Sequence, residues 1–239
     1  MNITPRNLFQ AAGVAAAAAG AIFIGVQIGH PPADVAHIVT TEMTIRMTAK
    51  VVFCALALVG LAGMFVRHRN QFGLLGRAGY ALVSVGFLAM LAQECIIGYY
   101  LPTIAHTRPV YAQHVLNGAM AHGATSGIGA MQALFLVAGL GYSLGGLLFG
   151  IALFRAGVLS RGASALLAYG TTSALALAYL PESFSRPFAV PTGVALIGLG
   201  VSLWRDERRR AQAADTPATI LTGQPVTTEP PSAELAPTG

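Results

Sequence analysis

The apolar positions of this chain gather into six long runs, at residues 8–29, 48–66, 79–101, 128–154, 163–180 and 188–204. Each is close to the ~20 residues that an α-helix needs to cross a hydrocarbon core. No water is present there to bond the backbone, so an unbroken apolar run of that length satisfies its own N–H and C=O groups as a helix. The pattern predicts an all-α fold, a polytopic six-helix transmembrane bundle. The segment "HPP" closes the first run, "RHRNQFGLLGR" separates the second from the third, and Pro102 and Pro181 end the third and fifth. The first run follows Arg6 and is longer than the roughly 7–15 apolar residues of a secretory signal, so it is expected to persist as a helix.

From residue 211 the pattern changes. "AQAADTPATILTGQPVTTEPPSAELAPTG" is rich in Pro, Thr and Ala and has no helical apolar period. Such a segment buries too little surface to offset chain entropy. The expected organisation is a six-helix membrane domain over 1–210 and a disordered cytoplasmic tail over 211–239.

Charge supplies the orientation. With six crossings, Arg6, Arg67, Arg69, Arg77, Arg155, Arg161, Arg205, Arg208, Arg209 and Arg210 all fall on one side. Arg46, Lys50, Arg108 and Arg186 fall on the other, mixed with Asp34, Glu42 and Glu182. Cytoplasmic loops carry the excess of Lys and Arg. The Arg-dense side is therefore expected to be cytoplasmic, with both termini inside and the chain in the cytoplasmic membrane.

Composition agrees with the pattern. The chain has 239 residues, 54% hydrophobic and 10% charged, where a soluble domain carries about 25% charged residues. Mean hydropathy is +0.64. A net charge of +5 would suggest nucleic acid as a partner for a soluble protein. Here the Arg positions account for it as topology, and the expected partner is the lipid bilayer. Cys54 and Cys95 lie inside apolar runs without a CxxC pattern, which points to two reduced thiols.

In the fourth run Gly141 and Gly145 are spaced four apart, as are Gly146 and Gly150. Small residues at that spacing let helices approach closely in lipid. "GVALIGLG" in the sixth run has the same character. The expected use is packing within the chain, with a second copy or another membrane protein as the alternative partner for these faces.

One acid, Glu94, lies deep in a run, in "LAQECIIGYYLP". At 1.5 Å per residue it sits roughly 12 Å below Pro102. A carboxyl at that depth costs on the order of 2.5–3.5 kcal/mol on insertion scales and needs a partner facing the bundle interior. Topology places Gln27, His30, Arg46, Lys50 and Gln132 in the same outer half, so a polar pocket of Glu94, Lys50, His30, Gln27, Gln132 and Arg46 is expected. Gln93, Tyr99 and Tyr100 share the helix of Glu94.

Five of the six histidines, His30, His37, His106, His114 and His122, map outside. A short surface helix is expected near 110–122, with His114 and His122 on one broad face. These two are candidate metal ligands. No HxxxH or HxxxE pair supports them, so an ordinary interfacial loop is the favoured reading, and no metal or cofactor is expected. The sequence has no HExxH, Walker A or Asp-rich prenyl-diphosphate motif, and "GYSLGG" lies inside a predicted membrane run rather than at a strand-to-helix turn, so it is not read as a nucleophile elbow. The glycine-rich "ATSGIGA" and "GLGYSLGG" follow no strand, which excludes a dinucleotide fingerprint.

The stretches "GAIFIGVQIGHPPADVAHIVTTE", "GMFVRHRNQFGLLGRAGYALVSVGFL", "GGLLFGIALFRAGVLSRGASALLAYG" and "PTGVALIGLGVSLW" resemble a group of uncharacterised six-helix integral membrane proteins of high-GC Gram-positive bacteria. The likeness covers most of the chain up to Trp204. It implies the six-helix layout and marks His30, Pro31 and Glu94 as typical polar positions, but it implies no activity. The expected function is binding, sensing or permeation of a small solute or ion through an outward-facing polar pocket. The alternatives are a small membrane enzyme using Glu94 as acid/base on a lipophilic substrate, and a structural subunit of a membrane complex.

Overall fold

The computed structural model describes residues 5–121, 125–178 and 185–215. The helices are α1 (Pro5–Gly25), α2 (Val35–Ile38), α3 (Thr41–His68), α4 (Leu74–Cys95), α5 (Leu101–Ala105), α6 (Pro109–Ala119), α7 (Met131–Ala156), α8 (Arg161–Ser173) and α9 (Ser185–Asp215). No strand occurs among the described residues. Five helical stretches there are long and apolar enough to cross a membrane: Pro5–Gly25, Thr41–His68, Leu74–Ala105, Met131–Ala156 and Pro187–Ala213.

The long helices form a closed ring in chain order. Helix α1 packs on α3, α3 on α4, α4 on α7, α7 on α8, α8 on α9, and α9 returns to α1. Each neighbour is antiparallel. Gly13 meets Gly200 and Trp204 while Gly20 meets Gly193 and Ile197, so α1 and α9 run in opposite directions. The same reversal relates Gly79 and Gly86 of α4 to Phe149 and Tyr142 of α7. One end of the ring therefore collects most of the Arg residues. There Arg67 pairs with the buried Glu207 and stacks over Phe9. Arg161 and Arg208 lie over Phe154 and Trp204.

Glycine sets these contacts. In lipid the tails are as apolar as leucine, so helices associate through close packing rather than through expulsion of water. A methyl group on Gly141 or Gly145 would strike the α4 backbone at Gly86 or Val83, and one on Gly146 or Gly150 would strike Thr171 or Ala168 of α8. Both glycine pairs of the fourth run are thus covered within the chain. Gly193 and Gly200 of α9 do the same against α1.

Several boundaries differ from the sequence pattern. The third run does not stop at Pro102. A π-helical stretch, Ile96–Tyr100, links α4 to α5, and the Leu101 N–H donates to the Ile96 carbonyl five residues back. Proline lacks an N–H and its ring crowds the carbonyl four residues earlier. Widening the turn just before Pro102 absorbs both defects, and the helix continues to Ala105.

The α-helix of the fifth run is shorter than expected, and five of the six expected membrane-length helices are found among the described residues. Helix α8 has 13 residues and then tightens into the 3-10 turn Ala174–Ala178. The hydroxyls of Thr171, Thr172 and Ser173 donate to carbonyls at Leu167, Ala168 and Gly170. Such back-bonding competes with the α-ladder and bends helices. Residues 179–184, the rest of that run and its junction with α9, lie outside the described residues.

Helix α9 continues to Asp215, past Trp204 and through the first residues of the expected tail. The remainder of that tail, 216–239, lies outside the described residues.

The contact between α4 and α7 is testable. Gly86→Ala places a methyl against the Gly141 and Tyr142 backbone, which cannot move aside as a side chain can. It should cost about 1–3 kcal/mol, read as a lower Tm of the detergent-solubilised chain. Gly162→Ala meets nothing within 4 Å and should be neutral or slightly stabilising, because alanine is the better helix former.

Candidate functional site

Helical spacing brings the polar groups of the half away from the Arg-dense end to one interior. Met90, Gln93, Glu94 and Ile97 form one face of α4 and its π-helical extension, and Met43, Met47, Lys50 and Phe53 form one face of α3. Helix α1 and the turn after it contribute Phe23, Gln27 and His30. Helix α7 contributes Gln132, Leu136, Gly139 and Ser143. These faces enclose a cavity of about 700 Å³, within the range of roughly 300–1,000 Å³ usual for ligand sites.

The floor is aromatic. Phe23 stacks on Phe53 at 4.3 Å between ring centres, Phe53 meets Phe87 edge-on at 5.7 Å, and Phe87 meets Tyr142 edge-on at 5.6 Å. Tyr142 then donates its hydroxyl to Thr192 Oγ1 at 2.9 Å. This belt runs across the interior from α1 through α3, α4 and α7 to α9. It separates the cavity from the Arg-rich half of the bundle.

The roof is a second packed layer. Helices α2 and α6 place Ile38 and Leu116 over the cavity. Both are buried in a cluster with Met43, Met47, Ile97 and Val115. Asp34 caps α2 by accepting from the His37 N–H at 2.9 Å, and its Oδ1 lies 2.7 Å from the His37 ring. Burial raises the Asp34 pKa, but the bonds from His37 and its charge outweigh it, so the carboxyl titrates below its usual range.

Glu94 is the buried acid of the wall, 7% exposed. Its Oε2 lies 3.8 Å from Lys50 Nζ, an ion-pair distance but too long for a hydrogen bond. That oxygen has no hydrogen-bond partner. The pair therefore offers a carboxylate acceptor and an ammonium donor side by side, neither spent on the other at hydrogen-bond length.

Glu94, Lys50, His30, Gln27 and Gln132 all line the cavity. Arg46 does not, and this departs from the sequence reading. Its guanidinium donates to the carbonyls of Val26, Ile28 and Gly29 and to Glu42. The end of α1 leaves those carbonyls unpaired, and a five-donor fork is suited to collecting them. Tyr99 also turns away, donating to Thr48 Oγ1 on the exposed side. His30 Nδ1 donates to the Pro31 carbonyl at 2.8 Å.

The second candidate group separates. His114 lies 2.8 Å from the Ser126 carbonyl and ties α6 to the segment before α7. His122 lies outside the described residues. Among the described residues no group of three His, Cys, Asp or Glu is placed to hold a metal ion. Both cysteines are free thiols.

Tyr142, Ser143 and Thr192 were missed from the sequence. A signal was present for Tyr142, the single phenol inside "GLGYSLGG", since a buried tyrosine hydroxyl seeks a partner.

Protein-family models, curated proteins and solved structures were each compared with this chain, and none matches.

The loose ion pair predicts an asymmetry. Lys50→Met strands Glu94 in the wall and should cost on the order of 3 kcal/mol. Glu94→Gln should cost less, because the long Lys50 stem can carry its ammonium towards water. The double variant should recover most of the Lys50→Met loss, as measured by thermal unfolding in detergent.

Proposed function

We propose that this chain is a six-helix integral membrane protein of the cytoplasmic membrane, and that its cavity binds a small molecule beside Glu94 and Lys50. The observation that carries the binding reading is the buried Glu94 Oε2, without a hydrogen bond and 3.8 Å from Lys50, in the wall of a ~700 Å³ cavity. A buried polar group left unmatched is costly, and an incoming donor removes that cost.

Six crossings are supported by the ring order. Helix α8 with its 3-10 extension runs antiparallel between α7 and α9, as a sixth crossing would, and an even count puts the Arg-dense helix ends together. By the positive-inside rule that end is cytoplasmic, both termini are inside, and the cavity faces outward. The layout is that of the six-helix group from high-GC Gram-positive bacteria which the sequence resembles.

Binding is favoured over permeation because the belt Phe23–Phe53–Phe87–Tyr142 fills the bundle between the cavity and the basic half. A small solute with an apolar body is favoured over a bare ion because much of the wall is hydrocarbon, and a few placed polar groups within such a wall are the usual make-up of a solute site.

Two measurements follow. Green fluorescent protein fused after Gly239 should fluoresce, and alkaline phosphatase fused after Thr107 should be active. The reverse pattern would overturn the orientation. In a thermal-shift screen of the solubilised full chain, compounds that raise the Tm should lose at least about ten-fold in affinity in Glu94→Gln. They should keep their affinity in Tyr169→Ala, a change at an exposed site on α8. Hits indifferent to Glu94→Gln would remove the pocket as the binding site. Turnover of a hit that disappears in Glu94→Gln would make the site catalytic.

A further inference from the structure

The route into the cavity says more about its occupant. We infer that the occupant is a hydroxyl-bearing, single-chain amphiphile that arrives sideways from the bilayer. This rests on the reading of the Glu94–Lys50 cavity as a binding site.

The opening lies on α7. Leu136 and Leu140 line the cavity, yet they are 60% and 41% exposed. Leu175, in the turn after α8, lines the same cavity and is 39% exposed. Side chains that belong both to an interior and to the outer surface mark a mouth. Nearer the basic end α8 covers α7 closely, with Gly146 on Thr171 and Gly150 on Ala168. Towards the outer end the α-helix of α8 has ended at Ser173, and among the described residues the first half of α7 loses that neighbour. The axial direction is different. There the buried Ile38 and Leu116 of α2 and α6 lie over the cavity, and the exposed Ala121 also lines it. Among the described residues the axial end is narrowed by this layer, while the side at α7 is bordered by exposed leucine.

The rim of the mouth is leucine, which suits a hydrocarbon chain. A chain moving from the bilayer into this mouth exchanges one apolar surface for another and gains little. Selection therefore falls to the head group. A hydroxyl seated at the pair donates to Glu94 Oε2 and accepts from Lys50 Nζ, which fills the acceptor left open and bridges a 3.8 Å gap that the two side chains do not close themselves.

The test uses the full chain in phospholipid nanodiscs and three photoprobes: hexadecanol with a mid-chain diazirine, the matching alkane without the hydroxyl, and a diazirine-bearing butanol. An added Cβ at Gly139 meets nothing within 4 Å, so Gly139→Trp starts its side chain in open space at the mouth and serves as one plug, and Leu136→Trp serves as a second, each checked for wild-type Tm. Hexadecanol should label the first half of α7 and the segment around Glu94. That labelling should fall at least about ten-fold in Gly139→Trp, Leu136→Trp and Glu94→Gln. The alkane should not label the Glu94 segment. Butanol, small enough to pass the plug, should label wild type and Gly139→Trp alike. Undiminished hexadecanol labelling around Glu94 in both plugged variants would overturn the sideways route and leave the pocket standing. Glu94-dependent labelling by butanol alone would overturn the amphiphile and keep the pocket. Absence of Glu94-dependent labelling by either alcohol would overturn both readings.

Discussion

The backbones of α4 and α7 touch. Gly86 of one helix meets Gly141 and Tyr142 of the other, and Gly145 meets Val83, at separations where no side chain fits between. In a bilayer this kind of contact replaces the hydrophobic effect as the force between helices, and the rest of the architecture follows from it. The close crossing aims Phe87 and Tyr142 at each other and lets the aromatic belt run from α1 to α9. The belt in turn floors the cavity on the side of the Arg-rich end. A side chain at Gly86 would do more than loosen one contact, because it would move the floor of the site.

The polar site depends on the same geometry from the other direction. Glu94 stands two turns beyond Gly86 on α4, next to the π-helical stretch that accommodates Pro102. Insertions of this kind recur near functional positions in helices, and here the widened turn lies within a few residues of the carboxyl. The helix runs on to Ala105 instead of ending at the proline, so Glu94 is held well inside a continuous rod. Lys50 reaches it from the facing helix with a flexible stem. The result is a pair at ion-pair distance with hydrogen-bonding capacity in reserve, which differs from a tight structural lock such as the one Arg46 makes on the end of α1.

What could be read from residues alone was uneven for physical reasons. The Gly141/Gly145 and Gly146/Gly150 spacing announced close packing, but not that one pair serves α4 and the other α8. Arg46 was grouped with the pocket because topology places it in the same half of the bundle as Lys50 and Glu94. Its guanidinium instead answers the unpaired carbonyls at the end of α1, a demand invisible until the turn at Val26–Gly29 is formed. The fifth run read as one continuous α-helix because its composition is apolar, whereas the hydroxyls of "TTS" draw on the same carbonyls as the helix ladder, and the α-helix gives way to a 3-10 turn after Ser173. Hydropathy counts side chains and does not see that competition.

Apolar run length, Arg placement and the lone acid Glu94 were fixed by the sequence, because each is a property of residues along one helix and of the solvent around it. That determined a helical, bilayer-suited chain with its basic ends on one side and its polar residues in the other half. The tertiary structure decided which of those polar residues share a cavity, what floors and roofs it, and where its mouth lies. Those are relations between helices far apart in the chain, set by how closely two backbones approach, and no period or composition along a single helix encodes them.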